Sequence, residues 1–203
     1  PGLSLSGRTF NGSGNVTVNN ALDLGAVTLS GVGAFTTTGV TTLSGSPILS
    51  GRAWSNSGTL GIGGAPRVLT YNGGALTNQS AGVINVTSSA TNPLEGNGSA
   101  ATFTNNGTFN KNVGSAGSQH FNFDGFSNGS TGTFNVNSGT FNLSQGATTQ
   151  EGSFGVASGS LLTISGGTHT FNGASFTGTG TLGMTGGTLT LPVATTFGTG
   201  PGL

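Results

Sequence analysis

The 203-residue sequence has no cysteine and little charge: charged residues make up 4% of the chain, and the formal net charge is zero. Without cysteine no disulfide can stabilise the fold, so its stabilising contacts must be repeated along the chain. Without a basic surface the chain lacks the electrostatic attraction to phosphates that nucleic-acid binding requires, and we expect no nucleic-acid partner. It also lacks the mutual repulsion that keeps protein molecules apart, so we expect copies to associate.

Long apolar runs are missing as well. No run of 18 apolar residues occurs, and we therefore expect no membrane-spanning helix. Glycine is abundant, at 41 residues, but it follows no strict triplet, which argues against a collagen-like chain. Disorder is disfavoured because the apolar residues recur at regular intervals.

The segment 126–143, FSNGSTGTFNVNSGTFNL, shows the pattern that the rest of the chain repeats. An aromatic residue leads through a Ser/Asn/Gly turn into two short segments, Thr133–Val136 and Thr140–Leu143. In both segments apolar and polar residues alternate, which predicts strands with one buried face.

Variants of this pattern begin at regular intervals. The positions that align with Phe126 are Phe10, Phe35, Trp54, Leu76, Phe103 and Phe176. From 10 to 126 the intervals are 25, 19, 22, 27 and 23 residues, a repeat length typical of solenoids. The sequence predicts an all-β parallel β-helix of about eight coils of 20–27 residues, forming a single domain over residues 1–203. An antiparallel β-sandwich is the alternative. The predicted core consists of Val16, Val18, Leu60, Ile62, Ile84, Val86, Phe134, Val136, Leu182 and Met184.

Two segments depart from the repeat. The segment 91–96, TNPLEG, contains proline and a charge, which predicts a loop that leaves the stack. Lys111 falls where the alternation would place an inward valine, so we expect the strand to end or bulge there.

Stacked side chains are the candidate structural sites. Asn56, Asn78, Asn105 and Asn128 share one position of the repeat, and we expect their amides to form a hydrogen-bonded ladder through the coils. A polar turn without a ladder is the alternative. The aromatic residues Trp54, Phe103 and Phe126 are expected to stack inside the core.

The sequence shows no convincing catalytic or metal site. Asp124 and Glu151 could meet on adjacent coils, as glycoside hydrolysis would require, but two exposed turn residues explain them better. His120 and Asp124 are read as a surface pair, since no nucleophile accompanies them. His169 aligns with an inward leucine and is interpreted as a hydrogen-bonded core residue. We expect no enzyme activity, cofactor or metal.

Short runs such as NSGTL (56–60), GTFNV (132–136) and GTL (180–182) resemble the strands of bacterial β-solenoid surface proteins, namely autotransporter passengers and filamentous-haemagglutinin-like adhesins. The resemblance covers nearly the whole chain. It implies a right-handed parallel β-helix, secretion to the cell surface or matrix, and an adhesive or fibre-forming role.

The tripeptide Pro-Gly-Leu occurs at 1–3 and again at 201–203, which favours one unit of a longer or head-to-tail array over two unrelated turns. We therefore expect a structural subunit of an extracellular fibre or matrix whose partner is a second copy of itself. The alternative is a surface adhesin or adhesin stalk that binds glycans or other cells, for which Trp54 and Tyr71 are candidate exposed aromatics. A polysaccharide-cleaving enzyme is a distant third hypothesis.

Overall fold

The computed structural model describes residues 2–64, 69–97, 100–112, 115, 117–123 and 125–198, and these residues form short strands and turns with no helix. No helix within these ranges could therefore cross a bilayer. In chain order the strands are β1 Leu3–Leu5, β2 Thr9–Phe10, β3 Val16–Val18, β4 Leu22–Leu24, β5 Thr28–Ser30, β6 Phe35–Thr37, β7 Val40–Leu43, β8 Ile48–Ser50, β9 Ala53–Asn56, β10 Thr59–Ile62, β11 Leu69–Asn72, β12 Ala75–Asn78, β13 Val83–Val86, β14 Leu94–Gly96, β15 Thr102–Asn105, β16 Thr108–Lys111, β17 Ser118–His120, β18 Gly125–Asn128, β19 Thr133–Val136, β20 Thr140–Leu143, β21 Ala147–Gln150, β22 Ser153–Val156, β23 Leu161–Ile164, β24 Thr168–Phe171, β25 Ser175–Gly178, β26 Thr181–Met184, β27 Thr188–Thr190 and β28 Thr196–Phe197.

Three strands make one coil, and every third strand joins the same sheet. The first strands of the coils form a ten-stranded sheet in the order β1-β4-β7-β10-β13-β16-β19-β22-β25-β28. Its strands pair in parallel, with Leu3 opposite Leu22 and Val83 opposite Thr108, so a coil takes between 19 and 25 residues there. The protein is a parallel β-solenoid of about nine turns, close to the eight predicted. The antiparallel sandwich is excluded.

The other two positions of the coil form interrupted sheets. The second strands form a five-stranded sheet, β2 to β14, and then a separate four-stranded sheet, β17 to β26. The third strands form a six-stranded sheet, β3 to β18, and then a three-stranded sheet, β21 to β27. The two interruptions fall at successive coil steps, and the ten-stranded sheet runs past both.

The core fills the space between the three faces, because the apolar residues of each strand point inward. The predicted core residues of the middle coils, Leu60, Ile62, Ile84, Val86, Phe134 and Val136, are fully buried, and Val18 and Leu182 nearly so. The prediction is wrong for Met184, which is 53% exposed. Met184 ends β26, the last strand of its sheet, so no described strand covers it. Val16, in the first coil, is half-buried for a similar reason.

The segment 91–96 does not leave the stack as predicted. Leu94–Gly96 forms β14, pairs in parallel with β11, and buries Leu94 completely. Proline is tolerated because Pro93 precedes the strand, where it need not donate a ladder hydrogen bond; its carbonyl accepts a bond from the Leu69 amide.

Lys111 lies inward, in register between Val86 and Val136. The strand ends at Lys111, one of the two outcomes expected, and it does so without a bulge, since the register continues through Lys111. The ammonium group reaches the connections that follow β16 and β19, where it donates to Ser115 Oγ at 3.0 Å and to the Ser138 carbonyl at 2.6 Å. A long aliphatic side chain can fill an inward position in this way while its polar end finds partners.

Candidate functional site

The four repeat asparagines form a continuous amide ladder inside the solenoid. Asn56 Nδ2 donates to Asn78 Oδ1, Asn78 Nδ2 to Asn105 Oδ1, and Asn105 Nδ2 to Asn128 Oδ1, each at 2.8 Å. All four side chains are completely buried. The strands that carry them pair in register, so the same sequence position is repeated at each coil.

The same amides also close the adjacent turns. Asn78 Nδ2 approaches the carbonyls of Gly82 and Thr108 at 3.1 Å. Asn105 donates to the Thr133 carbonyl at 3.1 Å. Because a buried backbone carbonyl needs a partner, each asparagine links the corner of its own coil to the next coil. Ladder and polar turn, considered as alternatives in the sequence, are combined in one arrangement.

The aromatic residues stack in two columns rather than in the one predicted. Phe103 stacks on Phe126 at 5.6 Å, but Leu76 separates Trp54 from Phe103, and Trp54 packs edge-on against Phe35 instead. The Trp54 indole N–H donates to Thr37 Oγ1 at 3.0 Å, and this hydroxyl donates to Asn56 Oδ1 at 3.1 Å, so Trp54 is connected to the first rung of the amide ladder. Phe10 and Phe176 are the first and last residues that align with Phe126 in the sequence. They pair with Leu29 and Phe154, and each lies in a different sheet from Phe126.

The second aromatic column lies in the ten-stranded sheet. Phe109 stacks on Phe134 at 4.6 Å. Phe154 follows in a tilted arrangement at 5.8 Å, and Phe176 and Phe197 then stack at 5.4 and 5.1 Å. The signal for this column was present in the sequence, because Phe109 and Phe134 each complete a Gly-Thr-Phe triplet.

Two buried glutamines, which the sequence analysis did not identify, lie at the interruptions of the sheets. The Gln150 side chain accepts a hydrogen bond from the backbone N–H of Asn128 at 2.7 Å and donates to the Phe126 carbonyl at 3.3 Å, so it bridges β18 and β21. Gln119 donates to the carbonyls of Ser88 and Ala90 at 3.1 and 2.8 Å. At both places a side-chain amide adds to a reduced backbone pairing, of which the bridge between Glu95 and Asn122 and the bond from the Glu151 N–H to the Asn128 carbonyl remain.

His169 is a buried, hydrogen-bonded core residue, as interpreted from the sequence. Its Nε2 donates to the Gly166 carbonyl at 3.1 Å, which leaves Nδ1 to accept from Thr148 Oγ1 at 3.0 Å. Burial lowers the pKa of His169, and the bond to the carbonyl opposes this only in part. Thr148 also accepts from Gln150 at 2.9 Å, so the imidazole is linked to the interruption between β18 and β21.

The buried guanidinium of Arg52 donates hydrogen bonds to backbone carbonyls at a corner of the first coils. Arg52 is 1% exposed; its Nη1 donates to the Ser30 carbonyl at 2.6 Å and its Nη2 to the Gly14 carbonyl at 3.1 Å. It also lies 5.6 Å from the centre of the Phe10 ring. This cation has carbonyl and aromatic partners, so its role is structural.

The described residues contain no cluster of three or more His, Cys, Asp or Glu side chains. Glu151 is exposed and His120 is half-buried. Asp124, the proposed partner of both, lies outside the described residues. Trp54 and Tyr71 are 1% and 0% exposed, so neither is the exposed aromatic that would favour the alternative adhesin hypothesis, and Trp54 lies inside the core as expected. Burial also raises the pKa of Tyr71 well above its usual value.

The end strands, β1–β3 at one end and β26–β28 at the other, carry the exposed part of the core. Leu3 in β1 is 38% exposed, and Met184 in β26 and Phe197 in β28 are 53% and 38% exposed. Leu3 and Phe197 occupy the same inward column of the ten-stranded sheet, nine coil steps apart. Among the described residues, each end of the stack therefore presents strand edges without a partner next to accessible apolar side chains.

The fold and these ladders define the chain as a β-solenoid with a core held by stacked amide and aromatic side chains. Comparison with known proteins gave no match to a family model, to a curated protein or to a solved structure.

Proposed function

We propose that the chain is a structural subunit of an extracellular fibre or matrix, built head to tail by end-to-end stacking of solenoid units. The observation that carries the proposal is the pair of end strands. An unpaired strand edge is a template for pairing with another chain, and the accessible side chains of Leu3 and Phe197 give such pairing an apolar contact to bury.

The geometry favours an open filament. Both ends belong to one parallel sheet, so a second copy stacked on β28 through its β1 would continue the same strand direction and the same inward column. Such a contact uses two different surfaces and repeats without closing, which produces filaments rather than closed rings. Low charge at the ends supports the proposal, since like charges would oppose the contact.

The test uses the 203-residue chain with one lysine at either end. We expect the wild type to form filaments whose diffraction shows the strand spacing of ~4.8 Å along the fibre axis. Phe197→Lys blocks one end and Leu3→Lys blocks the other, so each variant alone is expected to stay monomeric. A mixture of the two leaves one compatible pair of ends and is expected to stop at a dimer.

Val32→Lys is the matched control, because Val32 is 86% exposed in the bend between β5 and β6, one coil in from the end strands. This variant should assemble like the wild type. Wild-type chains that remain monomeric at all concentrations, or filaments unaffected by Phe197→Lys, would contradict end stacking.

The mass of the denatured native polypeptide tests how the units are joined. A value near 19.7 kDa indicates separate subunits, and a large multiple indicates a tandem array in one chain. The repeated Pro-Gly-Leu that motivates the array lies largely outside the described residues, since Pro1 and residues 201–203 are not described.

A further inference from the structure

We propose that the outer face of the ten-stranded sheet binds a neutral, extended, β-linked polysaccharide. The site is the outer amide patch, formed by Asn85, Asn110, Asn112, Asn135 and Asn137. It lies on the side of the solenoid, so the proposal does not depend on the end contacts that would build a fibre.

The patch is a second hydrogen-bonded ladder, on the outside of the coils. Asn110 Nδ2 donates to Asn85 Oδ1 and Asn135 Nδ2 to Asn110 Oδ1, both at 2.9 Å. Beside this row, Asn137 Nδ2 donates to Asn112 Oδ1 at 2.9 Å, and Asn112 Nδ2 reaches Asn85 Oδ1 at 3.3 Å. Five amides on three successive coils are thereby held in fixed orientations.

The ladder leaves hydrogen-bonding capacity for a ligand. A carboxamide has two N–H donors and two acceptor lone pairs, and in Asn110 the ladder uses one of each. The side chain is only half-buried. Because the ladder already fixes the rotamer, a ligand that binds the remaining donor and acceptor would lose little side-chain entropy.

The surroundings select a neutral ligand. The outward positions of β10, β13, β16, β19 and β22 hold Thr, Ser, Gly, Val and Asn, and none is ionisable. In the register of the sheet, Gly61 lies beside Asn85 and Gly155 beside Asn135. Glycine at both ends of the row leaves the amides open along the solenoid axis from Gly61 to Gly155, and the row then continues with the hydroxyl side chains of Thr42 and Thr177.

The spacing selects an extended chain of sugars. Equivalent amides recur at the strand spacing of ~4.8 Å, which is close to the rise per sugar in β-1,4-linked glucans and chitin. Each sugar presents hydroxyl groups that both donate and accept hydrogen bonds, as the free donor and acceptor of Asn110 and Asn112 require. Thr108 and Thr133 add hydroxyls in the neighbouring outward column.

The experiment measures binding of cellohexaose to the chain kept monomeric by Phe197→Lys, by chemical-shift changes of the asparagine side-chain N–H₂ groups. Binding of the wild type to microcrystalline cellulose is measured by depletion from solution relative to a sample without cellulose. We expect shifts confined to the patch and depletion of the wild type. Asn110→Thr, which preserves strand propensity, should weaken binding about tenfold through the loss of hydrogen bonds to the ligand. Asn142→Thr is the matched control, because Asn142 is equally half-buried and hydrogen-bonded to Ser118 Oγ at 2.9 Å but belongs to another sheet.

Three outcomes would overturn the proposal. The chain could fail to bind either probe, or Asn110→Thr and Asn142→Thr could lose binding equally. The third is concentration-dependent pairing of wild-type chains that Asn110→Thr abolishes and Phe197→Lys does not, which would assign the face to lateral contact between copies. The depletion measurement on the wild type needs no variant, so it decides the question even if a variant misfolds.

Discussion

The inner amide ladder allows a test in which one side chain is changed to two different residues. Asn105 accepts from Asn78 and donates to Asn128 and to the Thr133 carbonyl, and it is fully buried. In Asn105→Ala, Asn78 Nδ2 keeps its two carbonyl partners, whereas Asn128 Oδ1 loses the partner that it has in the ladder. An unsatisfied buried acceptor together with a small cavity should cost about 2–4 kcal/mol in the free energy of unfolding.

Asn105→Asp keeps the shape but replaces the donor by an acceptor. The new oxygen would face Asn128 Oδ1 and the Thr133 carbonyl, both acceptors, in a buried position. Burial and this repulsion raise the folded-state pKa of the aspartate above its unfolded value of about 3.9. The protonated acid can donate one hydrogen bond, so the variant should be closest to the wild type below about pH 4 and lose stability as the pH rises through the raised folded-state pKa.

Urea unfolding followed by fluorescence measures both effects. The chain has one tryptophan, Trp54, which is buried and connected to the ladder through Thr37. Asn172→Ala is the control, since the hydrogen bond from Asn172 to Glu151 is exposed, and we expect a change within about 0.5 kcal/mol. The reasoning is refuted if Asn105→Ala unfolds like the control, or if the deficit of Asn105→Asp stays constant between pH 3 and 7.

Three further predictions concern the corners and the buried charges. Because burial lowers the pKa of His169, the unfolded state binds more protons below its pKa of about 6.5, and stability should fall as the pH drops through that value; His169→Leu should flatten the profile measured by thermal unfolding between pH 7 and 5. Gly132→Ala should destabilise the fold by about 1–3 kcal/mol in urea unfolding, since its Cβ would overlap the Asn105 carbonyl oxygen, whereas Gly61→Ala, with its nearest atom at 3.7 Å, should be tolerated; equal effects would contradict this packing argument. Arg52→Met should lower the melting temperature more than exposed Arg8→Met, because the carbonyls of Ser30 and Gly14 would lose a charged donor; equal melting temperatures would show that those carbonyls are satisfied by water.

The regular part of the fold could be predicted from the sequence because the same physical requirement recurs in every coil. Inward positions must be apolar and corners must be tight, so the alternation and the glycines mark each strand and turn. The register of Asn78 over Asn56 follows from the spacing of the repeat, and the structure places both in one ladder.

The exceptions could not be predicted because they depend on contacts between distant segments. Lys111 does not look like an inward residue until the partner of its ammonium group, the Ser138 carbonyl 27 residues later, is known. Gln119 and Gln150 look like ordinary polar residues, and their roles depend on interruptions of sheets that the local pattern does not reveal. Phe10 and Phe176 carry the repeat pattern but belong to other strands of the coil, since the three strands of a coil share nearly the same pattern.

The interrupted sheets also determine how the molecule would respond to a pulling force along its axis. The hydrogen bonds between coils run parallel to that axis, so the coil steps are loaded in series and the weakest step yields first. At most steps three strand pairs resist the force. At the two interrupted steps only two uninterrupted pairs remain, supplemented by Gln119 and the isolated bridge between Glu95 and Asn122 at one step, and by Gln150 and the backbone bond from Glu151 to Asn128 at the other. Extension should therefore begin by opening the solenoid in its middle, between β13 and β19, while the coils on either side remain intact.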